Sequence, residues 1–327
     1  MLEVATNVAR RPAVAPAWPW PRALGTAAGV LLGAVLLVAA WAKVIHPVGF
    51  ADQIRVEGLD FLLPAAAVAF LALALEVGLG VALVCGLRRL WVLVPAALLV
   101  AFFLFLNARA WWLDAHGLRA DEAGCGCFGN LVDRTPEEAF WQDLLLLLPA
   151  LVLAFAGRRR EAGAFPRGRI LAVAAVTAAA LVFAWKAPDL PLDDLATRLR
   201  PGRAIADLCS GRGSERICLD FVAPELASGE HLVVLADLAE PAFGRAVPAL
   251  NDYALAGRGP RPLALSASPP EAMRSFEWSF GPAFEVREAP APMLQPLYRR
   301  LPRSFLVRDG EVVATYAGLP PLAELAG

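Results

Sequence analysis

Residues 61–112 read FLLPAAAVAFLALALEVGLGVALVCGLRRLWVLVPAALLVAFFLFLNARAWW. Two apolar runs, Phe61 to Gly86 and Leu90 to Trp112, flank the Arg88-Arg89 pair. At about 1.5 Å of rise per residue, each run can cross a hydrocarbon core of about 30 Å. The first run carries one charge, Glu76. The second carries Asn107 and Arg109 in its last turns, and Trp111-Trp112 form an interfacial belt. This stretch decides the fold class in favour of an integral membrane protein.

The same pattern extends in both directions. Ala23 to Trp41 is an apolar block closed by Lys43, His46 and Pro47; a signal-peptide core is usually shorter, so the block reads as an uncleaved helix. Phe140 to Gly157 is a further span. It is preceded by Thr135-Pro136-Glu137-Glu138, in which Thr caps, Pro opens the helix and Glu completes a capping box. Asp143 then sits at the interface, at the end of the helix nearest the preceding loop. Ile170 to Trp185 is a fifth span of alanines and valines. Val48 to Asp60 is polar and reads as an interfacial helix or loop. The composition agrees: 58% of the 327 residues are hydrophobic and 19% charged, against about a quarter charged in soluble domains. The net charge of −1 and the lack of a basic face interleaved with aromatics exclude nucleic acid as a partner.

Arginines set the expected topology. Arg10, Arg11 and Arg22 lie in a Pro-containing tail, residues 1–22, that reads as disordered. Arg88-Arg89 and Arg158–Arg169 mark alternate loops. The positive-inside rule puts these three in the cytoplasm. The loop 113–139 and everything after Lys186 then face outward. The organisation is a tail (1–22), a four-helix membrane domain (23–157), a basic loop with a fifth helix and linker (158–202), and an outward-facing domain (203–327).

In that last part the pattern changes to α/β. Leu232–Leu238, Pro262–Ser266, Phe284–Arg287, Ser304–Arg308 and Val312–Tyr316 read as strands, and Pro241–Leu255, Pro270–Trp278 and Pro292–Arg300 as helices. Asp309-Gly310 signals a hairpin between the last two strands.

Five cysteines stand at 85, 125, 127, 209 and 218. Cys125 and Cys127 lie in Gly124-Cys125-Gly126-Cys127-Phe128-Gly129, in the loop before the fourth span. Three chemistries fit this pair. As a redox pair it would close a small strained ring, and strained exposed disulfides are the more oxidising ones. As a soft-metal site it lacks a completing His pair, His116 being the only neighbour of that type. As a structural feature, each Cys would pair elsewhere. Cys209 and Cys218 read either as a structural disulfide or as an exchange partner for Cys125/Cys127. Cys85 reads as an inert core thiol. Glu76 is an intramembrane carboxylate, of a kind that is costly and usually functional. Counted from Phe61 it lies about 22 Å down its helix, which places it too deep to meet Lys43 or the cysteine loop. It either bonds between helices or lines a quinone or proton pocket. Lys43, Arg109 and Asp143 are supporting polar groups near the outer interface. They could lower a thiolate pKa, form a charge-paired cap, or simply snorkel.

Two family resemblances follow. Residues 23–157 resemble the methylamine-utilisation MauE proteins of the DoxX-like membrane group. The matching features are Ala42-Lys43 with Pro47 and Phe50, Leu75-Glu76, Cys125-Gly126-Cys127-Phe128-Gly129 and Asp143. That resemblance implies a four-helix membrane bundle and a role in methylamine dehydrogenase maturation or disulfide formation. The tail looks like a membrane-anchored, TlpA-type thioredoxin-like domain. In it Val247-Pro248-Ala249-Leu250 resembles the end of the first helix and Leu301-Pro302-Arg303-Ser304-Phe305 the cis-proline segment. The position of the redox Cys-X-X-Cys falls on Glu240-Pro241-Ala242-Phe243, which has no cysteine. The expected protein is a multi-pass protein of a bacterial inner membrane, N-terminus cytoplasmic. It would exchange disulfides through Cys125 and Cys127 with a periplasmic client. No metal and no cofactor is assigned, and a membrane quinone is the electron acceptor under consideration. The alternative is a non-catalytic assembly factor whose thioredoxin-like domain binds a client beside Pro302.

Overall fold

The computed structural model describes residues 20–118, 134–158, 167–211 and 216–325. The N-terminal tail, the Cys125/Cys127 loop and most of the Arg158–Arg169 loop lie outside the described residues.

Among the described residues, five helices are long and apolar enough to cross a membrane. They are α1 (Trp20–Ile45), α3 (Ala65–Val84), α4 (Leu90–Ala115), α5 (Pro136–Ala156) and α6 (Arg167–Lys186); the short α2 (Pro47–Val56) follows α1. The protein is a multi-pass membrane protein. Helix α1 packs on α3 and α5, α4 packs on α5, and α6 lies against α3. The bundle core is built of Leu32, Leu36, Leu83, Leu93, Val100 and Leu147. Small residues let the backbones approach: a Cβ on Gly33 would lie 2.7 Å from the Gly80 carbonyl oxygen, and one on Gly25 2.5 Å from Gly157 Cα.

Helix termini follow local rules. Pro64, with φ −53° and ψ 141°, is the N-cap of α3 and moves its start to Ala65, four residues beyond the apolar run's first residue. The Thr135 hydroxyl accepts from the Glu138 amide and Glu138 Oε2 accepts from the Thr135 amide, closing the capping box of α5. At the other end of α5, buried Arg88 donates 2.9 Å to the Gly157 carbonyl. Arg88 therefore caps a helix C-terminus as well as adding charge to its turn.

Because the spanning helices alternate in direction, two ends can be named. The corner around α2, the end of α4, the start of α5 and the C-terminal domain all lie at one end, called here the loop end.

The C-terminal domain contains short helices α7 (Asp193–Ala196) and α8 (Leu219–Val222) and a two-stranded ribbon, β1 (Cys209–Ser210) with β2 (Ile217–Cys218). A five-stranded sheet follows: β3 (Glu230–Leu235), β4 (Arg261–Ser266), β5 (Glu285–Glu288), β6 (Arg303–Arg308) and β7 (Glu311–Ala317). Its order is β5-β4-β3-β6-β7, with β3, β4 and β5 parallel and β6 and β7 antiparallel to their neighbours. Helices α9 (Pro241–Ala256) and α10 (Pro270–Phe280) connect the parallel strands, and α11 (Ala291–Leu294) and α12 (Leu322–Leu325) complete the domain. This β-α-β-α-β-β order, with a cis peptide at Leu301-Pro302, is a thioredoxin-like fold. The helix expected over Pro292–Arg300 is shorter. It is α11 followed by a 3-10 turn at Gln295–Leu297, because Pro296 cannot donate to an α-helical ladder. Asp309 (φ 47°) and Gly310 (φ 82°) both have positive φ, the geometry of a primed hairpin turn between β6 and β7.

The sheet is buried on both faces. Leu232, Val234, Phe243, Leu250 and Phe276 fill one side. Val233, Leu235, Leu265, Phe305 and Leu226 fill the other, joined by Leu199 from the stretch that reads as a linker.

Candidate functional site

Cys125 and Cys127 lie outside the described residues, but the loop's C-terminal foot does not. Arg134 donates to Asp143 Oδ1 at 3.2 Å and to Gln142 Oε1 at 3.4 Å. Asn107 Nδ2 donates to Asp143 Oδ2 at 2.8 Å. Asp143 is buried, so one carboxylate ties α4, α5 and the end of the loop together. Trp111 and Phe140 stack, and Trp141 lies edge-on to both, with centroids 5.3–6.1 Å apart. Arg109 pairs with Glu57 at 2.6 Å, joining α4 to the end of α2.

Deeper in the bundle, Lys43 donates to Glu76 Oε1. Lys43 is 5% exposed and Glu76 0%. This corrects the expectation from sequence that Glu76 lies too deep to reach Lys43. From the Gly33/Gly80 crossing, Lys43 stands about 15 Å and Glu76 about 6 Å toward the loop end, leaving about 9 Å along the axis. Side chains tilt toward the N-terminus of their own helix. In the antiparallel pair α1/α3 that tilt aims Lys43 and Glu76 at each other, and two long side chains close the gap.

The pair borders a cavity of about 500 Å³ between α2, α3 and α4. Its lining is apolar apart from Lys43, Gln53, Glu57, Glu76 and Asn107. The Lys43 ammonium lies 4.9 Å from the Phe50 ring centroid and 5.1 Å from that of Phe103. Glu76 Oε2 is buried and has no hydrogen-bond partner among the described residues. Asn107 belongs both to this cavity wall and to the Asp143 network, and so joins the cavity to the foot of the cysteine loop. Asn107 as a site residue, the role of Phe50 and the partner of Glu76 were not legible in the sequence. The one signal was that Asn107, like Glu76, is a polar group inside an apolar run.

In the C-terminal domain, Cys209 and Cys218 form a disulfide across the β1–β2 ribbon, as directly opposed partners. Both are half-buried. Arg216 Nη2 lies 3.2 Å from Cys209 Sγ, and Arg198 donates 3.2 Å to the Cys209 carbonyl. Residues Glu240–Phe243 open α9. The cis-proline loop is gripped from both sides. Arg299 donates to the carbonyls of Ala187 and Leu190 at 2.7 and 3.2 Å. Arg303, 1% exposed, donates to Thr197, Asp194 and the carbonyls of Leu297 and Leu199.

That same loop meets the bundle. His46 Nε2, in the corner between α1 and α2, donates 3.2 Å to the Arg299 carbonyl, three residues before Pro302. Burial, reinforced by the Arg299 charge, lowers the His46 pKa below 6.5, against the raising effects of this hydrogen bond and of Asp52 and Asp193. His46 reads as an ordinary loop residue in sequence and is instead the joint between the two parts. Among the described residues no group of three or more His, Cys, Asp or Glu gathers to hold a metal.

The family model described as methylamine utilisation protein MauE matches residues 21–156. Two solved structures resemble the C-terminal part. One is described as a candidate thiol:disulfide interchange protein DsbE from Chlorobium tepidum. It is 20% identical, with a TM-score of 0.30, and the match covers 39% of this chain and 92% of that one. The other is described as a candidate thioredoxin from Neisseria meningitidis. It is also 20% identical, with a TM-score of 0.27, covering 38% of this chain and 83% of that one. No curated protein matches the sequence.

Proposed function

From a membrane segment of the MauE type joined to a thioredoxin-like domain, we propose a membrane-bound thiol–disulfide exchange protein acting through Cys125 and Cys127. One thiolate attacks a disulfide sulfur of a client, a mixed disulfide forms, and the other thiolate displaces the client sulfur. In balance, protein dithiol and client disulfide exchange for protein disulfide and client dithiol, and the reaction runs in either direction. The protein sits in a bacterial inner membrane, N-terminus cytoplasmic, with the cysteine loop and the C-terminal domain periplasmic. The client is a periplasmic enzyme under maturation, methylamine dehydrogenase being the one the family name suggests.

The observation that carries this reading is the convergence at the loop end. The end of α4 and the start of α5, which bracket the cysteine loop, lie at the same end of the bundle as the C-terminal domain, and His46 bonds the loop that holds cis-Pro302. The thioredoxin-like domain has Glu240–Phe243, without cysteine, where the resemblance places a Cys-X-X-Cys, so in this reading it serves to hold the client. Cys209 and Cys218 are the one other cysteine pair within the chain. The test is trapping: Cys127→Ser should accumulate a mixed disulfide between Cys125 and a client, resolved by reductant on non-reducing gels. Unchanged client disulfides and full complementation by Cys127→Ser would overturn the reading.

The second reading is a non-catalytic assembly factor, favoured by the cis-proline loop without a dithiol beside it. A chain with both Cys125 and Cys127 replaced by Ser would then keep its function, whereas deletion of residues 203–327 would abolish it.

A further inference from the structure

We propose that the cavity between α2, α3 and α4 is the seat of a membrane quinone, with Lys43 and Glu76 at its head end. The lining is built for an amphipathic molecule. Lys43 and Glu76 meet in its wall, and apart from Gln53, Glu57 and Asn107 the remaining wall is apolar. Leu71, Leu98 and Phe102 line the cavity and are also exposed on the bundle's outer surface, so it opens sideways toward hydrocarbon, the route an isoprenoid tail would take.

The head end selects the chemistry. Glu76 Oε2 is a fully buried acceptor without a partner among the described residues, and such an orphan is costly unless something else bonds it. The cation of Lys43 stands beside it. A phosphate would bring a second negative charge against Glu76, and a choline or ethanolamine head a second positive charge against Lys43. A neutral ring bearing oxygens meets neither objection. A quinone carbonyl accepts from the Lys43 ammonium, and a hydroquinone hydroxyl donates to Glu76 Oε2. Phe50 and Phe103, both close to the Lys43 ammonium, supply aromatic faces for a flat ring. Glu76 lies about 16 Å along α3 from Ala65, so the head sits inside the bundle rather than at its surface.

The identity of the electron donor rests on the thiol–disulfide reading; the binding site does not. In balance, the protein dithiol and a quinone give the protein disulfide and a hydroquinone. Two S–H bonds break, one S–S bond forms, and two electrons and two protons convert both quinone carbonyls to hydroxyls. Asn107 is shared by the cavity wall and the Asp143–Arg134 network.

The test uses the full chain in phosphatidylglycerol nanodiscs and a photoreactive azidobenzoquinone with a decyl tail. Labelling should fall on peptides of α3 and α4 and be displaced by decylbenzoquinone but not by added phospholipid. Glu76→Gln, which removes the charged acceptor, should weaken displacement about tenfold or more. Ala72→Trp leaves the ion pair intact and fills the cavity, and it should abolish labelling while the thermal transition stays near that of the parent. Labelling scattered over the lipid-facing surface, displacement by phospholipid, or parent-like affinity in both variants would overturn the proposal. Replacing Cys125 and Cys127 with Ser should leave labelling unchanged. Site-specific labelling without quinone reduction by the pre-reduced protein would support the site and refute the dithiol as donor.

Discussion

Lys43 and Glu76 are two charges in a place where neither could stand alone. Taking an ion pair out of water costs about as much as the pair recovers, so its presence adds little net stability, but removing one partner leaves the other uncompensated. Lys43→Met should therefore destabilise the bundle by about 3–5 kcal/mol, and adding Glu76→Leu to it should restore most of that loss. Thermal unfolding in detergent of the two single variants and the double variant checks this. A double variant no better than Lys43→Met would mean the pair is not the seat of the effect. His46 carries a different dependence. Its pKa is lowered in the docked state relative to 6.5, so the undocked state binds more protons in the interval between the two values. The stabilisation of docking is complete above pH 6.5 and is lost as pH falls toward the docked pKa. Asp52, Asp193 and Arg299 face the same ring and modulate the effect. Proteolysis between Ala187 and Arg203 should accelerate on acidification below 6.5, and His46→Asn should flatten that response.

At the level of elements, the bundle depends on how closely α1 can lie against its neighbours. Gly25, Gly29 and Gly33 recur every four residues along one face of α1 and meet α5, Arg88 and α3 respectively. Small residues at this spacing let helices in lipid gain dispersion contacts that no hydrophobic effect supplies there. Gly33→Leu would drive a side chain into the Gly80 carbonyl. It should cost about 1–3 kcal/mol by overpacking, read as a lower unfolding temperature in detergent. The same change at Gly168, whose Cβ would meet nothing within 4 Å, should be silent. The contrast between the two sites is the control, since both substitutions add equal apolar volume to a spanning helix.

For the whole molecule, the proposed exchange depends on the cysteine loop and the C-terminal domain sharing one side of the membrane. An odd number of crossings separates the α5–α6 connection from the C-terminal domain. Reporter fusions after Gly157 and after Ala326 should thus report opposite sides, and fusions after Gly117 and Ala326 the same side. A cytoplasmic C-terminal domain would show that α6 does not cross and would remove the shared face on which the proposed exchange depends. The His46–Arg299 contact and the Arg299 and Arg303 clamps on residues 187–199 also show that the domain is seated on its connector, not hung from a free tether.

What the sequence determined by itself are the features that local rules control. Spans follow from hydropathy over a length set by the bilayer. The start of α5 follows from Thr135 and Glu138, the last hairpin from Asp309-Gly310, and the β-α-β-α-β-β order from changes of period. Only the tertiary structure decided which groups meet. Successive helical residues point about 100° apart. Whether Glu76 faces Lys43, whether Asn107 faces Asp143, and whether Arg88 reaches Gly157 therefore depend on helix rotation and crossing, which hydropathy does not encode. The docking of His46 on Arg299 is non-local in the same sense: it joins segments whose proximity exists only once the whole chain has packed.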